Sequence, residues 1–349
     1  MPKLIVQANN IHNGGGKSLL LAFLQVSLDH YSVDVLVDSR MSLPKDISPK
    51  FHIRKIHPSV VHRLLSEKWI VNHVASGDVV LCFGNLPPIF RLGVYTVVFV
   101  QNRYVIDDVK LTGFSLKSKL RLYLERWWFA NKFLNADEFI VQTPSMQRLL
   151  ETRIKEKTPV HLLPFISTPE NYCRKFDFSE IKKEKRFDFL YVSSGEPHKN
   201  HRTLIDAWCL MAKENLFPSL KLTLDRVIFA DLCDWVSQKV LQFRLNVENL
   251  GCLSHTQVKL LYAHAGALIY PSIFESLGLP LIEARQAGIP VLASELDYVR
   301  DVLDPEQTFD PESALSIARA VKRFLLINEQ PLPLMDAVGF MKHVLKSVE

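Results

Sequence analysis

Short apolar runs alternate along the chain with longer segments whose apolar residues recur at helical spacing. Runs of about five residues rich in Val, Ile, Phe and Tyr are typical of buried strands, and the helical segments between them predict crossover connections. The alternation therefore predicts βαβ units built around parallel sheets. In the first half, the predicted strands are Leu4–Ala8, Val33–Val37, Val79–Phe83, Tyr95–Val100 and Glu138–Gln142, with a helix at Ser18–His30. In the second half, they are Phe187–Val192, Leu220–Leu224, Ala267–Tyr270 and Pro290–Ala293.

The alternation is interrupted once, by a segment rich in proline and charge. Pro164–Glu170 contains two prolines, and Ile181–Arg186 is charged at every position but the first. Such stretches are typical of linkers, and the parts on either side are each long enough to bury a core. We predict an N-terminal domain over residues 1–165, a linker over 166–186, a C-terminal domain over 187–330 and a terminal helix over 331–349 that packs back toward the first domain.

The predicted fold class is α/β, with two doubly wound, Rossmann-like domains that face each other across a cleft. In such domains ligands bind at the carboxyl ends of the strands. The segments with candidate chemistry all follow predicted strands, which places them at this edge.

Composition narrows the class of protein. The 349 residues are 48% hydrophobic and 23% charged, which is typical of a globular chain. The longest apolar runs, such as Val94–Val100, are too short to cross a bilayer, and the first residues do not resemble a signal peptide. The five cysteines lack metal-ligand spacing and predict reduced thiols in a cytoplasmic protein. A net charge of +5 favours anionic ligands or an anionic membrane, and nothing beyond this mild basicity predicts a nucleic-acid partner.

The most informative segment is Pro271–Gly288, in which seven residues separate Glu275 from Glu283. Gly278 and Pro280 between them predict a turn followed by the first turn of a helix. The free N–H groups at a helix start, together with the positive end of its dipole, form an anion site. Carboxylates beside that site can accept hydrogen bonds from hydroxyl groups. The segment therefore predicts a site for a sugar diphosphate.

Two further loops follow predicted strands. Asn13–Ser18 contains three consecutive glycines but lacks the earlier glycine that a P-loop requires. We interpret it as a loop in which Gly15 and Gly16 let a ligand approach the backbone, the alternative being a plain flexible turn. Ser193–Asn200 contains Lys199, which could neutralise a diphosphate leaving group, the alternative being a solvated lysine.

These segments resemble those of retaining glycosyltransferases with the GT-B fold, whose E-x7-E element the two glutamates match. The resemblance is strongest to glycosyltransferase family four, the group 1 glycosyltransferases. It covers most of residues 187–303 in the expected order, and extends more loosely to Asn13–Gly16 and Phe139–Pro144 in the first half. The matching segments of the second half are Phe189–Asn200, Leu204–Ala207, Gly251–His255, Leu261–Tyr262, the E-x7-E element and Val291–Ser294.

The resemblance implies transfer of a hexose from a UDP- or GDP-sugar to a hydroxyl of a glycan or lipid-linked glycan. It further implies retention of anomeric configuration without a dedicated base. The sequence contains no metal cluster, and Asp231–Asp234 has the wrong spacing for a DxD motif, so we expect no metal and no cofactor. Glu283 would accept the ribose hydroxyls, Glu275 would lie beside the donor sugar, and Lys199 would stabilise the leaving diphosphate. Backbone N–H groups would reach the phosphates from Ser276, Leu277, Gly278 and Leu279.

The chain departs from the family pattern at two positions. The arginine that usually follows the strand at Phe187–Val192 is replaced by Ser194. Either Lys199 and the N–H groups of the helix suffice for the phosphates, or a cation such as Arg103 or Lys17 reaches across. The histidine that many relatives place near the donor sugar is replaced by Asn102 and Arg103. His198, in contrast, is predicted to be a surface or capping residue.

Leu116–Phe133 predicts an amphipathic helix that mixes leucine, tyrosine and tryptophan with basic residues. Two interpretations stay open: the helix lies on an anionic membrane, or its apolar face forms one side of a core. The basic residues are Lys117, Lys119, Arg121, Arg126 and Lys132.

The setting implied by the resemblance is bacterial surface polysaccharide or lipopolysaccharide assembly, at the inner face of the cytoplasmic membrane. Two alternatives are retained. One is a nucleotide-sugar epimerase of GT-B architecture, which would need acid and base residues on both sides of the sugar. The other is a non-catalytic nucleotide-sugar-binding subunit, suggested by the arginine that is replaced at Ser194.

Overall fold

The computed structural model describes residues 3–12, 14–25, 32–44, 51–111, 113–165 and 186–327. The predicted linker, except for Arg186, and the predicted terminal helix lie outside these residues, so both stay predictions together with the domain boundaries. Cys173 also lies outside them, and the other cysteines are free thiols, of which only Cys252 is exposed.

The first half of the chain forms one parallel sheet with helices between its strands. Its strands are β1 (Lys3–Ala8), β2 (Ser32–Asp38), β3 (Phe51–Ile56), β4 (Val79–Cys82), β5 (Tyr95–Phe99), β6 (Glu138–Val141) and β7 (Val160–Leu162). Its helices are α1 (Gly14–Leu24), α2 (Val60–His73), α3 (Arg103–Ile106), α4 (Leu116–Lys132) and α5 (Pro144–Ile154). The spatial order is β3-β2-β1-β4-β5-β6-β7, so the winding direction reverses between β1 and β4.

The second half repeats this design. Its strands are β8 (Phe187–Tyr191), β9 (Leu220–Leu222), β10 (Val247–Asn249), β11 (Ala265–Tyr270), β12 (Val291–Ser294) and β13 (Gln307–Phe309). Its helices are α6 (His201–Lys213), α7 (Ala230–Phe243), α8 (His255–Tyr262), α9 (Leu279–Gln286), α10 (Asp297–Arg300) and α11 (Ala314–Phe324). The order β10-β9-β8-β11-β12-β13 places the reversal between β8 and β11.

The predicted fold class is confirmed, and each predicted strand is present. Most residues of the inner strands are apolar because helices cover both faces of a parallel sheet, as in β11, where all but one residue is buried. The four strands that the pattern did not predict, β3, β7, β10 and β13, are the edge strands of the two sheets. Edge strands are partly solvated and carry polar residues, as in β3 with two exposed basic side chains, Arg54 and Lys55, which breaks the apolar run.

The carboxyl ends of the two sheets meet across a cleft. The Thr143 hydroxyl, just after β6, donates to the carbonyl oxygen of Ser276 at 3.1 Å. The N–H of Ser145 donates to the Asp301 carboxylate at 3.0 Å. The rings of Tyr104, which follows β5, and Phe274, which follows β11, lie 4.3 Å apart between centroids. The segments with candidate chemistry therefore face one another.

Helix α4 turns an apolar face to solvent. Among the apolar positions of the predicted amphipathic helix, five are between 57% and 85% exposed: Leu116, Leu120, Tyr123, Leu124 and Trp127. Their spacing places them on one side of the helix, whereas Leu122 and Phe129 face the core. For these five residues, the interpretation as one side of a core was wrong. In the part of the chain that the structure describes, no helix has the length and apolarity needed to cross a membrane.

Arg126 is one of the basic residues predicted on the surface of α4, and for this residue the prediction was wrong. It is buried, and its guanidinium donates to the carbonyl oxygens of Tyr104 at 2.8 Å and Val109 at 3.1 Å. A buried cation needs such partners, and both are found in the segment that follows β5. Arg126 therefore fixes that segment to α4, while Lys117 and Arg121 are exposed.

Candidate active site

Glu275 lies in the loop between β11 and α9, and its side chain is only 11% exposed. Its Oε1 accepts hydrogen bonds from Lys199 Nζ at 2.6 Å, Ser272 Oγ at 2.7 Å and the Tyr270 hydroxyl at 2.9 Å. Burial raises the pKa of this carboxyl, but the Lys199 ammonium and the hydrogen bonds outweigh it and hold the pKa of Glu275 below its ordinary value. Glu275 is therefore ionised at neutral pH, and its Oε2 accepts from no group in the described ranges.

Lys199 ends the loop that follows β8, in a short 3-10 helix at Pro197–Lys199. The Tyr191 hydroxyl donates to its carbonyl oxygen at 2.6 Å, and Asn200 then adopts a left-handed conformation before α6 begins. Because β8 and β11 are neighbours, this loop brings the ammonium onto Glu275 from 76 residues away in sequence. The two predicted catalytic side chains therefore form one buried ion pair.

The start of α9 provides the predicted row of backbone donors. Gly278 caps the helix at φ 75°, in the left-handed region that favours glycine, and Pro280 lies in the first turn. The N–H groups of Ser276, Leu277, Gly278 and Leu279 donate to no group among the described residues. Unpaired donors at the positive end of a helix favour an anion, so the geometry agrees with the predicted diphosphate site.

Glu283 lies one turn further along α9, and its side chain is 24% exposed. The Tyr262 hydroxyl donates to its Oε2 at 3.1 Å, and the His255 ring lies 3.8 Å from its Oε1. The carboxylate opens into a pocket between α1 and α9 that is also lined by Ser18. Part of its hydrogen-bonding capacity therefore stays available to a ligand in the cleft.

The glycine tract is the first turn of a helix, and the predicted start of α1 at Ser18 was too late. The helix begins at Gly14, and the predicted Asn13 lies outside the described residues. A Cβ on Gly15 would lie 2.9 Å from Leu279 Cδ1 of α9, and one on Gly16 would lie 3.4 Å from Gln101 Oε1. Glycine therefore allows α1 to approach α9 closely across the cleft.

Asn102 and Arg103 begin α3 at the same edge. The Asn102 side chain caps the helix by accepting from the N–H of Tyr104 at 3.0 Å. Arg103 donates through Nε to Asp107 at 2.9 Å, and its Cζ lies 4.4 Å from the Phe274 ring centroid in the other domain. Asn102 thus has a structural role, while Arg103 crosses the cleft.

His198 is not the predicted surface residue. Its ring contacts the rings of Tyr104 and Phe114, at centroid distances of 5.4 and 6.4 Å, and those two rings also contact each other at 5.2 Å. Burial, together with the Lys199 charge, lowers its pKa to about 4, so it is neutral at physiological pH. At the position of the replaced arginine, the Ser194 hydroxyl donates to the Glu196 carboxylate.

The side chains that hold the two glutamates were not predicted from the sequence. Tyr262, Tyr270 and Ser272 donate to Glu283 or Glu275, and all three are buried. The two tyrosines end apolar runs, where an aromatic residue is usually core, so the runs do not mark them. Tyr262 lies in the matched segment Leu261–Tyr262, but that match gave it no role. Within the described ranges, no three His, Cys, Asp or Glu side chains are grouped in a way that could hold a metal.

Two Rossmann-like domains, with a carboxylate–lysine pair and a free helix start in the cleft between them, define the GT-B class. Residues 174–334 match the family model described as glycosyl transferases group 1. This part of the chain is similar to group 1 glycosyltransferases, which confirms the resemblance. Assignment to family four in particular stays a prediction.

Curated relatives match the same class over part of their length. The O-antigen chain mannosyltransferase RfbU of Salmonella typhimurium is 33% identical over 180 residues, which cover 50% of this chain and 46% of the relative. The O-antigen chain mannosyltransferase B of Escherichia coli is 28% identical over 145 residues, which cover 39% of this chain and 36% of the relative. The chain thus spans less than half the length of these relatives.

Solved structures agree over nearly the whole chain. WaaG, a glycosyltransferase involved in lipopolysaccharide biosynthesis, has a TM-score of 0.65 at 16% identity, covering 93% of this chain and 90% of that one. Anabaena Alr3699/HepE in complex with UDP-glucose has a TM-score of 0.66 at 15% identity, with the same coverage. At these identities the likeness establishes the shared fold.

Proposed function

We propose that this protein is a hexosyltransferase that moves a hexose from a UDP- or GDP-sugar to a hydroxyl of a glycan, with retention at the anomeric carbon. The observation that carries the proposal is the buried pair of Glu275 and Lys199 beside the unpaired N–H groups at the start of α9. The group 1 match over residues 174–334 supports the reaction class. The matched relatives are named as mannosyltransferases, which supports mannose as the hexose and O-antigen assembly as the setting.

In the proposed mechanism, the diphosphate binds at the start of α9 and the ribose hydroxyls donate to Glu283. As the bond between the anomeric carbon and the phosphate oxygen breaks, negative charge grows on the leaving diphosphate, and Lys199 stabilises it. The acceptor oxygen bonds to the anomeric carbon on the face that the diphosphate leaves. The departing phosphate oxygen takes the acceptor proton, so no separate base is required.

Glu275 is proposed to lie beside the donor sugar. Its Oε1 is occupied by Lys199, Tyr270 and Ser272, which leaves Oε2 to orient a sugar hydroxyl or to stabilise positive charge at the anomeric carbon. Because the carboxylate is ionised and rigidly held, it does not need to reorganise during the reaction.

We further propose that the reaction needs no divalent metal, since Lys199 and the N–H groups of α9 can offset the charge that a metal offsets elsewhere. Turnover should therefore persist in excess EDTA. Loss of turnover in EDTA that returns with Mg²⁺ or Mn²⁺ would contradict this part of the proposal.

We propose that the N-terminal domain binds an anionic membrane through α4, at the cytoplasmic face. The exposed apolar face of α4 is flanked by Lys117 and Arg121, which complement anionic lipid headgroups. A lipid-linked glycan would then reach the cleft from the membrane surface. Because Arg126 joins α4 to the segment after β5, the membrane-facing helix and the cleft are held as one unit.

A thermal-shift screen with UDP- and GDP-sugars, followed by product analysis, tests the proposal. We expect one donor to raise the unfolding temperature and to be hydrolysed slowly when no acceptor is present. Stabilisation without hydrolysis or transfer would indicate a pure binding protein. An epimerised donor would indicate the alternative enzyme class.

A further inference from the structure

Apart from the N–H groups at the start of α9, the binding loops of the C-terminal domain offer a diphosphate no net positive charge. The loops after β8 and β11 contain Lys199, but Glu275 already pairs with it, and Glu196 adds a second carboxylate beside Ser194. His198 contributes no charge because burial lowers its pKa to about 4. The ionised side chains of these loops therefore sum to a net negative charge, which opposes an anionic ligand.

Arg103 lies at the edge of this region, although it belongs to the other domain. Its guanidinium stacks on Phe274, the residue next to Glu275, with Cζ 4.4 Å from the ring centroid. Nε forms an ion pair with Asp107 at 2.9 Å, as Lys199 does with Glu275, but the two terminal nitrogens donate to no group among the residues described. An arginine fixed through Nε and by stacking presents its terminal N–H groups in a geometry suited to phosphate oxygens.

The backbone around Arg103 is held from both sides. Asn85, in a left-handed conformation, accepts through Oδ1 from the N–H groups of Gln101 at 2.6 Å and Asn102 at 2.8 Å. On the other side, the Arg126 guanidinium donates to the carbonyl oxygen of Tyr104 at 2.8 Å. The position of Arg103 is therefore set before any ligand arrives.

Other cations near the carboxyl edge of the first sheet have different partners. Lys17 Nζ lies 3.3 Å from the Ser42 hydroxyl, and Arg40 forms an ion pair with Asp38 at 2.6 Å. Neither has a contact with the C-terminal domain among the hydrogen bonds and ion pairs of the described residues, whereas Arg103 packs on Phe274.

We propose that Arg103 is the second phosphate-binding cation of the site, supplied across the cleft by the N-terminal domain in place of the arginine replaced at Ser194. The inference rests on the proposed function, because it concerns the diphosphate of the nucleotide donor. It makes diphosphate binding dependent on contact between the two domains.

Calorimetry with a nucleoside diphosphate and with the matching nucleoside tests this role. Arg103→Gln should weaken the diphosphate at least about tenfold and leave the nucleoside within about twofold, since only the diphosphate meets the guanidinium. Arg103→Lys, which keeps the charge but loses the fork, should give an intermediate affinity. Arg153→Gln is the matched control: Arg153 is 23% exposed and pairs with Asp108, as Arg103 is 24% exposed and pairs with Asp107.

The ratio of the two affinities makes the result independent of folding. A partly unfolded variant lowers the stoichiometry of binding, while the dissociation constants still report on the folded fraction. If wild-type protein binds the diphosphate and Arg103→Gln has the same ratio of diphosphate to nucleoside affinity as wild type, this inference alone is overturned. Wild-type protein that binds neither UDP nor GDP would overturn the proposed function as well.

Discussion

Replacing Glu283 by alanine should weaken binding of a nucleoside diphosphate through its ribose. The carboxylate is held by the Tyr262 hydroxyl on Oε2 at 3.1 Å, while its Oε1 is 3.8 Å from the His255 ring. The side chain is 24% exposed, so it exchanges water for ribose when the ligand binds. Alanine removes both acceptors from the second turn of α9 without disturbing the helix, since alanine is a strong helix former.

The size of the effect follows from the strength of hydrogen bonds to a charged group. Such a bond contributes about 1.5–3 kcal/mol. Two ribose hydroxyls would bond to Glu283, but these bonds replace hydrogen bonds to water, so their net contribution stays in the same range. The dissociation constant should therefore rise roughly 10- to 150-fold.

Calorimetry with the diphosphate and its 2′,3′-dideoxy analogue isolates the ribose contact. Wild-type protein should prefer the ribose form by that factor, and Glu283→Ala should bind both forms alike. Tyr262→Phe keeps the carboxylate and removes only its neighbour's hydroxyl, so this variant should retain the preference. A Glu283→Ala protein that still prefers the ribose form would refute the assignment.

The remaining predictions concern turnover, acid stability and the membrane. Lys199→Ala should lower kcat about tenfold or more at near-normal nucleoside affinity, and normal turnover would exclude the leaving-group role. Burial lowers the pKa of His201 to about 3, so between the ordinary value of 6.5 and pH 3 only the unfolded chain gains its proton. The free energy of unfolding, measured in urea titrations, should therefore decrease by up to about 1.4 kcal/mol for each unit by which the pH falls below 6.5. A His201→Leu variant whose free energy of unfolding depends equally steeply on pH would contradict this. Replacing Lys117, Lys119 and Arg121 by glutamine should release the protein from anionic vesicles, because each basic residue contributes about 1 kcal/mol to the binding free energy. Wild-type protein that does not bind such vesicles at low salt would contradict membrane binding.

The inner strands and the binding motif were predictable because their signals are local. An inner strand of a parallel sheet is buried on both faces, so its apolar run is visible in the sequence. The glycine and proline before α9 likewise mark a helix start wherever they occur. Edge strands such as β7 and β10, with three residues each, have no comparable signal.

The connections within the site could not be predicted because they depend on strand order. Lys199 and Glu275 meet because β8 and β11 are neighbours, and nothing in the residues themselves specifies that order. The same holds for Tyr270 and Ser272, whose hydroxyls were hidden in or beside an apolar run. The burial of Arg126 was likewise not predictable, because a basic residue on an amphipathic helix is usually solvated and only its tertiary contacts bury it here.

We expect this chain to transfer a hexose from a nucleotide sugar, and direct measurement of nucleotide release tests this claim. Purified protein should release UDP or GDP from one donor slowly in water and faster when a glycan or lipid-linked glycan acceptor is added. The glycosidic product should keep the anomeric configuration of the donor, which NMR of the product reads directly. A protein that binds donor but releases no nucleotide with any acceptor would contradict the claim, and an inverted product would contradict its mechanism.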